Sequence, residues 1–406
     1  MRVLTLVFFF LSFLAQAQNL EQVKKDVKTL AAPEMHGRGY VNGGLEKASD
    51  FLLNRLESLG LEVSTQSYEF SVNTFPEKSK IRCGKRKFKE GEEFIINPGS
   101  PAYRGRGESI LLDSADFQDR NLPALPSKGM IPVIKTEGID TPEEVSAKYD
   151  WTKRATEVAP VVELKDKLTW SVGREVYANP VVEIKSDVYD TGCKSWRFSI
   201  SAQEITFTAK NVIAKADGKR SDSLIVFTAH FDHLGRMGEA LFPGASDNAS
   251  GTAMVLDIAE HYSKSIPEYD TYFIFFSGEE AGLIGSRYFV ENPVFDLKKI
   301  KFLINLDLMG SAAKGITAVN GRLHEEEMKR MAKINTERNL IPKLKLRGKA
   351  ANSDHYWFSE RGVPAIFIYT EGNAKAYHDV YDTPENLDWA NYEEVFTLLV
   401  EFVKTF

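Results

Sequence analysis

Four segments between Leu224 and Gly310 decide how this chain reads: LIVFTAHFDHLG (224–235), GASDNASGTA (244–253), YFIFFSGEEAGLIGS (272–286) and FLINLDLMG (302–310). Three of them carry apolar, β-rich runs that stop at or just before residues able to hold a metal. Leu224–Ala229 ends at His230, Tyr272–Phe276 ends shortly before Glu279 and Glu280, and Phe302–Leu306 ends at Asp307. Short continuous apolar runs bounded by turn signals suit the buried strands of a parallel sheet. In open α/β sheets, ligands bind in the crevice beyond the carboxyl ends of the strands. Imidazole and carboxylate groups at three such ends therefore point into one crevice, and a metal site is expected there.

The chain has only two cysteines, Cys83 and Cys193, and both fall outside these segments. In an exported chain they either pair or stand as two buried thiols, and the sequence leaves both open. The ligand set is then His and carboxylate. Candidate metal ligands are His230, Asp247, Glu280, Asp307 and His378, a set that suits zinc with a position left open for water. Asp247 sits in a Gly/Ser/Asn loop just before a helix. It is placed to bridge two cations, which in two-metal hydrolytic sites lie about 3.5–4 Å apart. Taken singly, each residue has a plainer reading. His230 is a strand-end histidine, Asp307 a turn or cap residue, and an acidic pair is usually solvated. Taken together, they recur in order at successive strand ends. Asp354 and His355 read as a helix start with structural or supporting roles. His36, His233, His261 and His324 read as structural.

Around this centre the composition is ordinary for a globular protein, with 43% hydrophobic and 27% charged residues among 406. The formal net charge of -6 and the lack of a basic block argue against nucleic acid as a partner. Arg2, then VLTLVFFFLSFL, then Ala15-Gln16-Ala17 make the charged start, apolar core and small-x-small site of a secretory signal peptide. The apolar run is short for a membrane span. Residues 1–17 are thus expected to be removed, leaving a periplasmic or secreted protein with no stable membrane anchor. Asn19–Leu30 suits a short helix. Leu45, Ala48, Leu52, Leu56 and Leu59 mark one face of a stronger one. From about Cys83 to Ser201 the apolar runs shorten, and SILLDSADF, MIPVIKT, APVVELKD and NPVVEIKS read as short strands. From Leu224 onward, strands alternate with helices, ending in a helix over Tyr392–Lys404. The expected fold is α/β, a mostly parallel twisted sheet flanked by helices, with an inserted mostly-β module. The division is 18–82 and 204–406 for the catalytic domain and 83–203 for the insert.

HFDHLG, GASDNASG, SGEEAGLIGS, NLDLMG and the late AYHDVYDTPENLD (376–388), in that order, resemble the motifs of the co-catalytic zinc aminopeptidases of the M28 type, a zinc-exopeptidase fold. LAAPEMHGRGYVNGGLEKASDFLLNRLESLGLE (30–62) and SDHYWFSERGVPAIFIYTEG (353–372) fit the same pattern. The resemblance covers residues 28–70 and 205–406, and not the insert. It implies two Zn²⁺ ions per chain, one held by His230 and Asp307, the other by Glu280 and His378, with Asp247 bridging. It implies Glu279 as the general base toward the attacking water. Asp232 would orient the His230 ring, and Tyr377 would donate a hydrogen bond to the tetrahedral oxyanion. The implied activity is hydrolysis of N-terminal residues from peptides with a free N-terminus. Three other outcomes share the fold: a single-zinc glutaminyl cyclase, a carboxypeptidase or dipeptidase, and a non-catalytic binding ectodomain. The number of bound metal ions separates the dinuclear peptidase from the cyclase and the ectodomain.

Overall fold

A computed structural model describes residues 20–117, 122–373 and 375–406; the expected signal peptide lies outside them. The apolar segments of the motif region form the middle of an eight-stranded sheet. In spatial order its strands are Glu62–Thr74, Gln203–Ala216, Tyr269–Phe276, Arg220–His230, Ile300–Asp307, Ala365–Thr370, Ile316–Val319 and Leu344–Leu346. The four strands from Tyr269–Phe276 to Ala365–Thr370 run parallel to one another, and antiparallel pairs flank them. The parallel core with helical crossovers follows from the alternation seen in the sequence. The two short strands Ile316–Val319 and Leu344–Leu346 were not anticipated, because three or four residues carry too little pattern to read.

Successive strand residues face opposite sides, and both sides are covered. Ile225, Phe227 and Ala229 pack with helices 20–30, Gly44–Ser58, Gly251–Lys264, Glu325–Arg338 and Tyr392–Val403. Leu224 and Val226 pack on the other face with Phe289 and Phe358, from the short helices Ile284–Glu291 and His355–Glu360. Burial on both faces is why these strands read as unbroken apolar runs rather than alternating ones.

The chain leaves this sheet after Thr74 and returns at Gln203, and these two residues are themselves paired in antiparallel register. The residues between them build a second eight-stranded sheet, with strands from Lys80–Cys83 to Ser195–Ile200. The four anticipated strands of this region lie within it, ending Tyr103–Leu112 and spanning Met130–Lys135, Val161–Lys165 and Val181–Lys185, consecutive parallel neighbours. Among its described residues one α-helix, Pro142–Ala155, starts at a capping box in which Thr141 and Glu144 each accept from the other's backbone N–H. Cys83 and Cys193 form a disulfide, their Cα atoms 5.9 Å apart.

Candidate metal centre

Each polar side chain of the centre is delivered by a strand end or by the loop beyond it. His230 and Asp307 are the last residues of their strands. Glu279 and Glu280 lie in the turn after Tyr269–Phe276, where Gly278 takes φ 68°. Asp247 lies in the Ala245–Ser250 turn that leads into helix Gly251–Lys264. Gly244, at φ 60°, lets that turn close. A Cβ there would stand 2.2 Å from the Asp247 carbonyl oxygen and 2.3 Å from the His233 ring. His378, itself at φ 53°, comes from the loop after Ala365–Thr370.

The two carboxylate oxygens of Asp247 face different partners. Oδ1 lies 3.4 Å from His230 Nε2, which is in turn 3.4 Å from Asp307 Oδ2. Oδ2 lies 3.0 Å from His378 Nε2, which is 3.3 Å from Glu280 Oε2. His230 with Asp307 and His378 with Glu280 thus form two half-sites around one shared carboxylate. Glu279 closes the group: its carboxylate, Glu280 and His230 offer donor atoms within 4.8 Å of one another. Among the described residues, Asp247, Glu280 and Asp307 pair only with histidines. Carboxylates this close repel unless cations lie between them, so this donor set fits divalent metal. Asp307 Oδ1 and His233 Nε2 are buried without a hydrogen-bond partner, as atoms awaiting an ion or water are.

Neighbouring groups hold these side chains in place. The Asp232 carboxylate accepts from the backbone N–H groups of Glu279 at 3.2 Å and Glu280 at 3.3 Å, and from the Tyr40 hydroxyl at 3.0 Å. It lies 3.7 Å from His230 Nδ1, while its own backbone carbonyl is nearer at 3.2 Å. Asp232 therefore faces His230 with both its carboxylate and its main-chain carbonyl, the carbonyl being the nearer. Three donors also hold that carboxylate at the glutamate turn. His233 Nδ1 donates to Glu280 Oε1 at 2.8 Å. The Asp382 carboxylate accepts from the N–H groups of Ser246 and Asp247 at 2.8 and 3.0 Å. Arg38, with no exposed surface, donates to the carbonyls of Phe231, Leu30, Pro243, Gly244 and Asp247 at 2.7–3.3 Å. His378 Nδ1 lies 3.0 Å from the carbonyl of Trp170.

Burial opposes charge on all the central groups, and their mutual fields decide the balance. At His230 burial is outweighed by the Glu279 and Asp307 carboxylates, which hold its pKa well above the usual value. At His378 burial is likewise outweighed, by Glu280 and Asp247, and its pKa is raised to about 11. Burial works to raise Asp247, but hydrogen bonds from His230 and His378 hold it well below its usual value. Burial raises Glu279 well above the usual carboxylate range and pushes Asp307 up to about 6.

All five expected ligands and Glu279 therefore meet in one crevice. Tyr377 stands beside it, its ring stacked on His378 at 4.0 Å and 45% exposed. Asp354 and His355 are fully buried; burial pushes Asp354 up to about 7, and it sits in the field of His230, Asp232 and Asp307. His36 lies against Arg236, His261 against Tyr262 and Phe396, and His324 against Phe302, all outside the cluster. His233, expected to be structural, contacts Glu280 within the centre. Its position in HFDH, three residues after His230, was the available signal. Arg38 and Asp382 were missed because each acts on backbone rather than on a side chain.

A family model described as peptidase family M28 matches residues 211–403. A probable lipoprotein aminopeptidase, LpqL, of Mycobacterium tuberculosis is 26% identical over 367 residues, covering 82% of this chain and 69% of that protein. A probable zinc metalloprotease of Pyrenophora tritici-repentis is 35% identical over 273 residues, which is 65% of this chain and 49% of the fungal protein. This chain thus spans about half the length of that relative. The crystal structure of BSAP, a zinc aminopeptidase from Bacillus subtilis, has the same fold, with a TM-score of 0.71 and 21% identity over 95% of this chain and 94% of that one. That likeness takes in the second sheet as well as the first. The matched residues, 211–403, carry every one of the half-site donors, and over that part the chain resembles peptidase family M28.

Proposed function

We propose that this protein is an exported metallo-aminopeptidase that removes N-terminal residues from peptides at a dinuclear zinc site. The observation that carries the reading is the division of Asp247 between two half-sites, with Oδ1 toward His230 and Oδ2 toward His378. His230 and Asp307 would hold one ion and His378 and Glu280 the other, with Asp247 bridging. Two zinc ions bound there would supply Lewis acidity toward a water and toward the scissile carbonyl. Glu279 takes the proton of the attacking water and returns it to the leaving amine. Its place within reach of His230 and Glu280 supports that role. Asp232 holds the glutamate turn so that Glu279 faces the crevice while Glu280 faces the half-site. Tyr377, on the open side of His378, donates its hydroxyl to the developing oxyanion.

Residues 83–203 are read as an inserted module, and 18–82 with 204–406 as the catalytic domain. Export is supported by the signal-peptide pattern of residues 1–17, by the Cys83–Cys193 disulfide, and by a relative described as a lipoprotein aminopeptidase. No helix among the described residues is long and apolar enough to cross a membrane.

The test is hydrolysis of a panel of aminoacyl-p-nitroanilides beside their N-blocked counterparts, with bound zinc counted on the same samples. Free-amine substrates should be cleaved and blocked ones spared. Glu279→Ala should abolish turnover while retaining two zinc ions. Two bound ions without cleavage of any free-amine substrate would refute the substrate class. A single bound ion would instead favour cyclisation of N-terminal glutamine.

A further inference from the structure

The inserted region reaches back to the loop that carries His378. The segment 167–170, between strands Val161–Lys165 and Val181–Lys185, lies against the 375–379 loop that carries His378. Two hydrogen bonds tie the segments together: Trp170 N–H donates to the His378 carbonyl at 2.9 Å, and the His378 ring meets the Trp170 carbonyl at 3.0 Å. A carbonyl can only accept, so Nδ1 of His378 carries a proton, and Nε2 turns toward Asp247 and Glu280. Lys167 adds a second tie. Its ammonium donates to the carbonyls of Lys375 and Tyr377 at 3.1 and 3.4 Å and lies 3.3 Å from Asp379.

Trp170 is itself anchored. Its indole N–H donates to the Ile96 carbonyl at 2.8 Å, and its ring stacks on Phe242 at 4.6 Å. Phe242 belongs to the small hairpin just before the Asp247 turn. The anchor therefore draws on the second sheet and on the hairpin that leads to Asp247. His378 takes a left-handed backbone that a residue with a Cβ disfavours, and it holds that conformation under this segment.

We propose that the 167–170 segment is a strap by which the inserted module sets the ring orientation and tautomer of His378, making Trp170 a positioning residue for one of the two half-sites. The assignment of a metal to that half-site rests on the function proposed above. The strap itself does not, and the test separates the two. Hydrogen exchange of residues 375–382 is measured on metal-free wild type, Trp170→Ala, Trp170→Phe and Lys167→Ala. Lys167 is half exposed, so its variant leaves the core intact. Exchange should quicken at least tenfold in Trp170→Ala and less in Lys167→Ala, with Trp170→Phe close to wild type because it keeps the stack.

Zinc affinities are then read by competition with a chromophoric chelator. Loss of a partner that orients a metal-bound histidine weakens binding about 10–100-fold. One ion should weaken by that factor in Trp170→Ala, and the other should keep its affinity. Unchanged exchange in a folded Trp170→Ala overturns the strap. Faster exchange with both ions bound as tightly as in wild type overturns the positioning role. A wild type that binds fewer than two ions refutes the dinuclear reading, and the exchange result still decides the strap.

Discussion

Asp257 offers a perturbation whose size can be worked from its surroundings. It lies in helix Gly251–Lys264, only 6% exposed, away from the metal centre. The Tyr392 hydroxyl, from the last helix, is 3.4 Å from its Oδ2. Glu260 of its own helix and Asp26 of helix 20–30 add negative charge. Arg55 of helix Gly44–Ser58 is the nearest cation, but it is already engaged by Asp26 and Glu260. Burial, reinforced by Glu260, pushes the Asp257 pKa from 3.8 up to about 7. A carboxyl with a raised folded-state pKa binds its proton more tightly in the fold than in the unfolded chain. Its contribution is therefore full below the unfolded value and is lost as pH rises through the folded one. The loss, complete by about pH 8, is worth about 4 kcal/mol. Asp257→Asn removes the titration and keeps an oxygen for the Tyr392 hydroxyl. The variant should match wild type near pH 4 and be more stable by up to about 4 kcal/mol at pH 8, a gain of roughly 5 °C in a chain of this size. Thermal unfolding followed by circular dichroism, both proteins in chelator from pH 4 to 8, gives the difference at each pH. A difference that does not grow with pH would show that Asp257 is ionised in the fold and that the reasoning is wrong.

Arg38→Met should destabilise the protein by at least about 3 kcal/mol, since it strands several buried carbonyls that together receive one guanidinium. Urea unfolding would register this, and zinc titration of the folded fraction should show weakened binding at both half-sites, because the turn of Asp247 is what Arg38 holds. Zinc that binds only the folded chain should raise its melting point. At free zinc one hundred times the dissociation constant the gain is about 2.7 kcal/mol per ion. Asp247→Asn should flatten that response, and a thermal scan with and without chelator compares the two; an undiminished shift would show that Asp247 is not the shared ligand.

How much of this was legible in the sequence depended on whether side chains or backbone carried the message. The core strands were readable because burial on both faces writes unbroken runs such as IVFTA and FLINL. Their carboxyl-end residues were readable because His230 and Asp307 follow those runs directly. Even the inserted strands could be placed, since VVELK and VVEIK stand between turns. The two short edge strands beyond Ala365–Thr370 could not, for they contribute too few residues to set a period.

The supports of the centre were illegible for a different reason. Arg38 and the Trp170 carbonyl act on or through main-chain atoms, and Asp232 and Asp382 spend their carboxylates on backbone N–H groups. Any residue type offers a peptide group, so nothing in the partner's identity announces the contact. Asp232 shows how such a contact stays hidden behind a readable one. Its place two residues after His230 suggests a side chain turned to the imidazole, and the same carboxylate also receives two N–H donors from the turn of Glu279 and Glu280 and the Tyr40 hydroxyl. A carboxylate satisfied by three donors is held more firmly than one facing a single ring nitrogen at 3.7 Å. A sequence motif thus names the atoms that meet a ligand more readily than the atoms that hold them there. Residues that hold them must be sought among buried polar side chains whose partners are backbone.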